Sequence, residues 1–266
     1  MLIALYIFVL GLFAGSALNC VIYRLNIEGE SFWSGRSHCP SCKHVLAWHE
    51  LVPVFSFLFL KGECRYCKKA ISWQYPVVEI STALMFFLVF NFFAPGGLNE
   101  GCNFYLSIIT LLYLFVITSL LIIIFVYDLK HYLIPDKILL PAIVIALLCN
   151  LFLNPGFSIL NFLLAGFGAM AFFLFIFLVS RGKWMGFGDV KLALFMGFFL
   201  GYPNILVALF LAFSIGAIIG IGMILTRRKT LKSELPFGPF LILGTFIALF
   251  WGEKLINWYL SLFLLV

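Results

Sequence analysis

Charged residues are scarce in this chain. Only 11% of its 266 residues are Asp, Glu, Lys or Arg, where a soluble globular domain carries about a quarter. Aspartate is scarcer still, with three in all: Asp128, Asp136 and Asp189. A chain so poor in charge, 64% hydrophobic and with a mean hydropathy of +1.14, cannot hide its apolar surface from water. Its solvent must be lipid. No basic segment precedes the first apolar run, Met1 to Tyr23, and no clear small-residue cleavage site ends it. This favours a retained span over a removed signal peptide. There is no G-x-G-x-x-G nucleotide loop, no long-period repeat and no low-complexity tract. The net charge of +6 does not indicate nucleic acid, because the basic residues form no stripe or groove. They lie in short polar connections, as in membrane proteins whose orientation they set.

A spanning helix needs about 20 mostly apolar residues. The runs predict an all-α, polytopic transmembrane bundle of about eight spans. The first is roughly Leu2 to Tyr23. A polar insert runs from Arg24 to about Tyr75. Further runs occupy Val77–Phe93, Phe104–Tyr127, Ile138–Leu153, Ile159–Val179, Val190–Leu200, Ile205–Leu225 and Phe237–Trp251, with an apolar tail from Leu255. The Val190–Leu200 run is short for a full crossing. The expected organisation is a first span (1–23), a cytoplasmic four-cysteine insert (24–75) and a helical bundle (76–266). Alternating through the spans places sixteen of the seventeen Lys and Arg on one side, with only Lys254 opposite. That side includes Arg24, Arg36 and Lys43 of the insert, and Arg227, Arg228, Lys229 and Lys232. The positive-inside rule puts the insert in the cytoplasm and the N-terminus outside.

Four of the seven cysteines form two C-x-x-C knuckles, Cys39-Pro-Ser-Cys42 and Cys64-Arg-Tyr-Cys67. Each knuckle aims two thiolates at one centre. Two knuckles complete the tetrahedral four-thiolate shell of a structural Zn2+. The insert is too short to bury much core alone, and a structural zinc supplies on the order of 10 kcal/mol of folding energy. Redox chemistry is the weaker alternative, since nothing here reads as a thioredoxin-like βαβ unit. Cys20, Cys102 and Cys149 are isolated and read as small packing residues.

The three aspartates all fall at cytoplasmic ends of spans, where acids are costly and usually have a task. Asp136, in Ile134-Pro135-Asp136, reads as a cap or first-turn acid. Asp128 closes one apolar run, and Asp189 opens another within Gly186-Phe187-Gly188-Asp189-Val190-Lys191. Two carboxylates that share a site do not both ionise cheaply, so one can hold a proton while the other accepts one. Such a pair can activate water and protonate a leaving amine. Sequence alone leaves capping as the competing reading. Lys130 and Lys191 beside these acids read first as interfacial anchors.

G-x-G-D at a membrane helix end, with a second aspartate on an earlier helix, resembles the intramembrane aspartyl proteases. Other stretches carry the likeness further. They are Gly15-Ser16-Ala17-Leu18-Asn19, Tyr23-Arg24-Leu25, both cysteine knuckles, Glu50-Leu51-Val52-Pro53 and Gly62 before Cys64. Tyr75-Pro76-Val77-Val78-Glu79, Asp128 with Ile134-Pro135-Asp136, Gly186 to Lys191, and Pro236-Phe237-Gly238-Pro239 complete the set. In this order they resemble the bacterial type IV prepilin peptidases, or prepilin leader peptidase/N-methyltransferases. The resemblance implies cleavage of the basic leader of a prepilin or pseudopilin at the inner face of the bacterial cytoplasmic membrane, with Asp128 and Asp189 as the catalytic pair. It also implies N-methylation of the new N-terminus from S-adenosylmethionine, with Glu50, Gly62 and Glu79 as donor-binding residues. For Glu79, an interfacial anchor paired with Lys68 or Lys69 is an equal alternative. The competing functions are a proton-coupled transporter, a zinc-stabilised scaffold without chemistry, and a peptidase without methyl transfer.

Overall fold

The computed structural model describes residues 2–27, 35–94, 102–153, 159–226 and 235–264. The basic cluster Arg227, Arg228, Lys229 and Lys232 lies outside them. The described residues form nine α-helices and one 3-10 turn, Trp48–Leu51. The helices are α1 (Leu2–Arg24), α2 (Phe55–Phe59), α3 (Gln74–Phe93), α4 (Cys102–His131), α5 (Asp136–Leu153), α6 (Ile159–Ser180), α7 (Phe187–Leu200), α8 (Asn204–Leu225) and α9 (Gly238–Leu264). Among the described residues, β-structure is limited to two isolated bridges. Seven helices, all but α2 and α7, are long and apolar enough to cross a bilayer. The chain is a polytopic, all-helical membrane protein. The apolar tail from Leu255 simply continues α9.

Two compact units divide the chain, residues 1–123 and 124–266. In the first, α1 packs antiparallel on α3 along a seam of small residues. A Cβ at Gly11 would collide with the Ala83 backbone, and one at Gly15 with Glu79 Cα. Glycines four apart on one helix face let two backbones approach in lipid, where association depends on close packing. The same register continues to Asn19, whose Nδ2 donates to the Tyr75 carbonyl at 3.0 Å. The insert therefore leaves and rejoins the helical pair at one place.

In the second unit, α6 and α7 meet equally closely. A Cβ at Gly197 would overlap the backbone of Ala165 and Gly166. α7 has 14 residues, about 21 Å at 1.5 Å per residue. That is short of a bilayer core of about 30 Å. Nine of its residues are buried, so it is shielded by protein rather than exposed to lipid. A helix that ends inside a bundle leaves carbonyls without partners. Asn150 of α5 meets this need, donating Nδ2 to the carbonyls of Phe198 at 2.8 Å and Phe199 at 3.3 Å. Gly201, at φ 66°, then turns the chain out of the helix.

Candidate functional sites

The second unit holds all three aspartates. Asp128 lies one turn before the end of α4, and Asp189 lies in the first turn of α7. Both are buried, at 4% and 7% exposure. Their carboxylates lie within range of each other's charge. Asp189 Oδ2 accepts the Gly186 N–H at 3.2 Å, which draws the segment before α7 over the carboxylate. The Gly238 N–H, at the start of α9, faces the Asp128 carboxyl, yet Asp128 Oδ2 accepts no hydrogen bond of normal geometry. A Cβ at Gly238 would collide with that oxygen. Ile134 lies against both glycines beside the acids, so that a Cβ at Gly188 would meet its Cβ at 3.0 Å and one at Gly238 its Cδ1 at 3.4 Å.

Asp136 stands apart from this pair. It is the first residue of α5, as expected of a first-turn acid, and it is exposed. Lys191 Nζ bonds both of its oxygens, at 2.8 and 2.7 Å. Lys191, two residues after Asp189 on α7, is thus engaged by the third aspartate. Sequence reasoning did not foresee that pairing, nor the approach of Gly238 to Asp128. The only sign of the latter was the Pro-Phe-Gly-Pro stretch, where a glycine between residues of fixed backbone marks a tight place.

In the first unit the two knuckles repeat one backbone motif. The N–H of Cys39 bonds the His44 carbonyl and that of Cys64 the Lys69 carbonyl, both at 2.9 Å. Lys43 and Lys68, each following a second cysteine, take the left-handed conformation at φ 58° and 57°. The bridges His38–Val45 and Glu63–Ala70 close the two turns at matching offsets. All four sulfurs lie within 4.8 Å of one another, and Cys39 Sγ is 3.9 Å from Cys67 Sγ. Tetrahedral Zn–S bonds of about 2.3 Å place sulfurs about 3.8 Å apart. The cluster therefore fits a metal ion held by four thiolates. Burial pushes the Cys39 thiol up, but the N–H groups of Cys42 and Ser41 outweigh it and hold the thiol at about 7. The His44 N–H pulls Cys42 down, but neighbouring thiols raise it to about 11.

Beside the cluster is a cavity of about 390 Å³. Phe55, Phe59 and Leu60 give it an apolar wall, and Glu50, His49 and Arg65 supply its polar groups. Glu50 is buried. Its Oε2 accepts the Ala47 N–H at 2.8 Å, while Oε1 has no partner. The other two expected donor-binding residues do not line the cavity. Gly62, at φ 72°, faces the Phe57 ring, which a Cβ would meet at 3.2 Å. Glu79 Oε2 accepts the Val54 N–H at 2.7 Å rather than pairing with Lys68 or Lys69. Val54, at φ 62° and ψ −49°, is the centre of a γ-turn closed by the Phe55 N–H on the Pro53 carbonyl at 2.6 Å. That hand of turn is rare and strained, and Glu79 holds it in place.

A family model of the bacterial peptidase A24 N-terminal domain matches residues 9–93, and one of the type IV leader peptidase family matches residues 114–221. The chain is 35% identical to a prepilin leader peptidase/N-methyltransferase of Aeromonas salmonicida, over 96% of this chain and 93% of the relative. It is 34% identical to the protein so named in Bacillus subtilis, over 96% and 97%. With the protein of that name from Legionella pneumophila it shares 30% identity, over 95% and 94%. No solved structure matches the chain significantly.

Proposed function

We propose, from the premise that this chain belongs to the prepilin leader peptidase/N-methyltransferase family, that it removes the leader of prepilins or pseudopilins and then methylates the new N-terminus. The observation that carries the first reaction is the burial of Asp128 and Asp189 within range of each other's charge. Two such carboxylates favour a shared proton. One accepts a proton from water as the oxygen attacks the scissile carbonyl. The other donates a proton to the departing amine. The products are a leader carboxylate and a free N-terminal amine. Gly188 and Gly238 let Ile134 and the Asp128 carboxyl approach the backbone more closely than a Cβ would allow.

The one-sided distribution of Lys and Arg supports an insert and dyad at the cytoplasmic face of the inner membrane. A prepilin held by its apolar helix would present its leader junction at that depth. Cys39, Cys42, Cys64 and Cys67 would hold a structural Zn2+, with no position left open for substrate. S-adenosylmethionine supplies an electrophilic methyl group. The acceptor would be the new N-terminal amine in its unprotonated form. Of the residues expected to bind the donor, Glu50 lines the cavity, Glu79 holds the turn at Val54 between the lining residues Val52 and Phe55, and Gly62 packs on Phe57.

The test mixes purified protein with a prepilin in detergent, with and without S-adenosylmethionine. Mass spectrometry reads leader loss and methyl gain separately. Both are expected with the donor, and leader loss alone without it. Normal cleavage by both the Asp128→Asn and Asp189→Asn variants would refute the catalytic assignment. Cleavage without any methyl gain would leave a peptidase alone.

A further inference from the structure

Helix α2, Phe55–Phe59, has five residues, and its two sides differ. Phe57 is buried, with its ring 4.9 Å from that of Trp73. Phe55, Leu58 and Phe59 have the i, i+3, i+4 spacing of one helix face, and they are 56%, 62% and 83% exposed. Contiguous exposed apolar patches mark interaction surfaces. The attachment of α2 sets its depth. Val54, the residue before it, donates its N–H to Glu79 Oε2 at 2.7 Å. Glu79 lies five residues along α3 from Gln74, about 7.5 Å at 1.5 Å per residue. On α1 the matching level is Gly15, where a Cβ would collide with Glu79 Cα. Gly15 is nine residues short of the end of α1. Both helices are long and apolar enough to cross a bilayer. The start of α2 is therefore level with the interior of two spans, not with the ends that carry the insert. From there α2 lies beside the first turns of α3, where Trp73, Val77 and Ile80 are exposed as well.

We infer that α2 is an interfacial lipid anchor, with Phe55, Leu58 and Phe59 entering the boundary between headgroups and acyl chains beside α3, and Lys61 and Arg65 meeting acidic headgroups. Continuity with the exposed apolar side of α3 selects the bilayer as the occupant of this face. Charge agrees with that choice. In the segment after α2, Lys61, Arg65, Lys68 and Lys69 outnumber the single acid Glu63, and basic residues next to a membrane are drawn to anionic lipid. Buried apolar area and that attraction together hold amphipathic segments at a bilayer surface. Phe55, Phe59 and Arg65 also line the cavity, so its rim lies at the boundary of lipid and water. The anchor does not depend on either proposed reaction.

Photocrosslinking of the full-length protein in nanodiscs of phosphatidylglycerol and phosphatidylcholine tests this. Leu58 is replaced by the photoreactive residue p-benzoylphenylalanine. The same replacement of Val144, exposed near the middle of α5, is the reference for lipid contact. After illumination, mass spectrometry identifies what each position touches. A phospholipid adduct at Leu58, in a yield comparable to that at Val144, is expected. Adding Phe55→Ser and Phe59→Ser is expected to lower the Leu58 yield severalfold, because it removes most of the apolar face. Discs of phosphatidylcholine alone are expected to give a lower yield than the acidic mixture. Elution as a single species confirms that each variant is folded. A lipid adduct at Val144 without one at Leu58 would overturn the inference, and so would a Leu58 yield unmoved by the paired serine substitutions. A Leu58 adduct to a second copy of the chain, or to added prepilin at the expense of lipid, would give the face to a protein and overturn it as well.

Discussion

Gly238 has no room for a side chain, because Asp128 Oδ2 occupies the space a Cβ would take. Gly238→Ala must therefore displace either the carboxylate or the start of α9. Small misplacements of reacting groups cost about 100-fold in rate, so cleavage by Gly238→Ala should fall by about that factor in a timed prepilin digest. Thermal unfolding should remain cooperative, which distinguishes a shifted carboxylate from an unfolded chain. On the proposed mechanism, Asp128→Asn and Asp189→Asn remove the proton acceptor and donor themselves. General acid–base catalysis contributes roughly 100- to 10,000-fold, and each variant should lose at least that much cleavage in the same digest. Lys191→Met makes a useful contrast. Its partner is the exposed Asp136, and a surface ion pair contributes about 0–1 kcal/mol. Its effect on unfolding temperature should be correspondingly small.

Among the elements, α7 shows how much of the fold was legible. Its apolar character was plain in the sequence, and so was its shortness. Its burial was not. A helix that is apolar on every side has no preferred face, so periodicity cannot say whether lipid or protein surrounds it. Nor could the sequence pair Asn150 with carbonyls some fifty residues away. Asn150→Ala should leave those carbonyls unpaired in a buried place, at a cost of about 1–3 kcal/mol. Unfolding in detergent, followed by circular dichroism, would show it, and an unchanged midpoint would refute the capping role. The cysteine knuckles were legible because their geometry is local: the ligands of each pair lie three residues apart, and one tight turn brings them together. The cavity was hidden because its wall depends on the strained turn at Val54, held by Glu79 from another helix. The partnership of Asp128 with Asp189 came from likeness to known proteases, since no spacing rule relates acids on separate helices.

On the scale of the whole molecule, the sites proposed for the two reactions lie in different compact units. The cysteine cluster and cavity belong to residues 1–123, and the acids to residues 124–266. Stripping the metal should therefore harm methyl transfer more than cleavage. A chelator titration read by mass spectrometry would show methyl gain falling first. Equal, simultaneous loss of both reactions would argue that the metal supports the entire fold. Thiols must lose their protons to bind zinc, so acid competes with the metal. Zinc should leave faster in mildly acid buffer than in alkaline buffer, as a metal-sensitive dye would report.

The clasp between Asn19 and Tyr75 has a consequence for how such a chain can change over generations. The segment it closes off departs and returns through a single doorway, while the Gly11 and Gly15 seam zips α1 to α3 independently of what lies between. A cassette mounted in this way can be swapped, enlarged or pruned without repositioning either helix. New chemistry could be fitted there while α1 and α3 keep their packing.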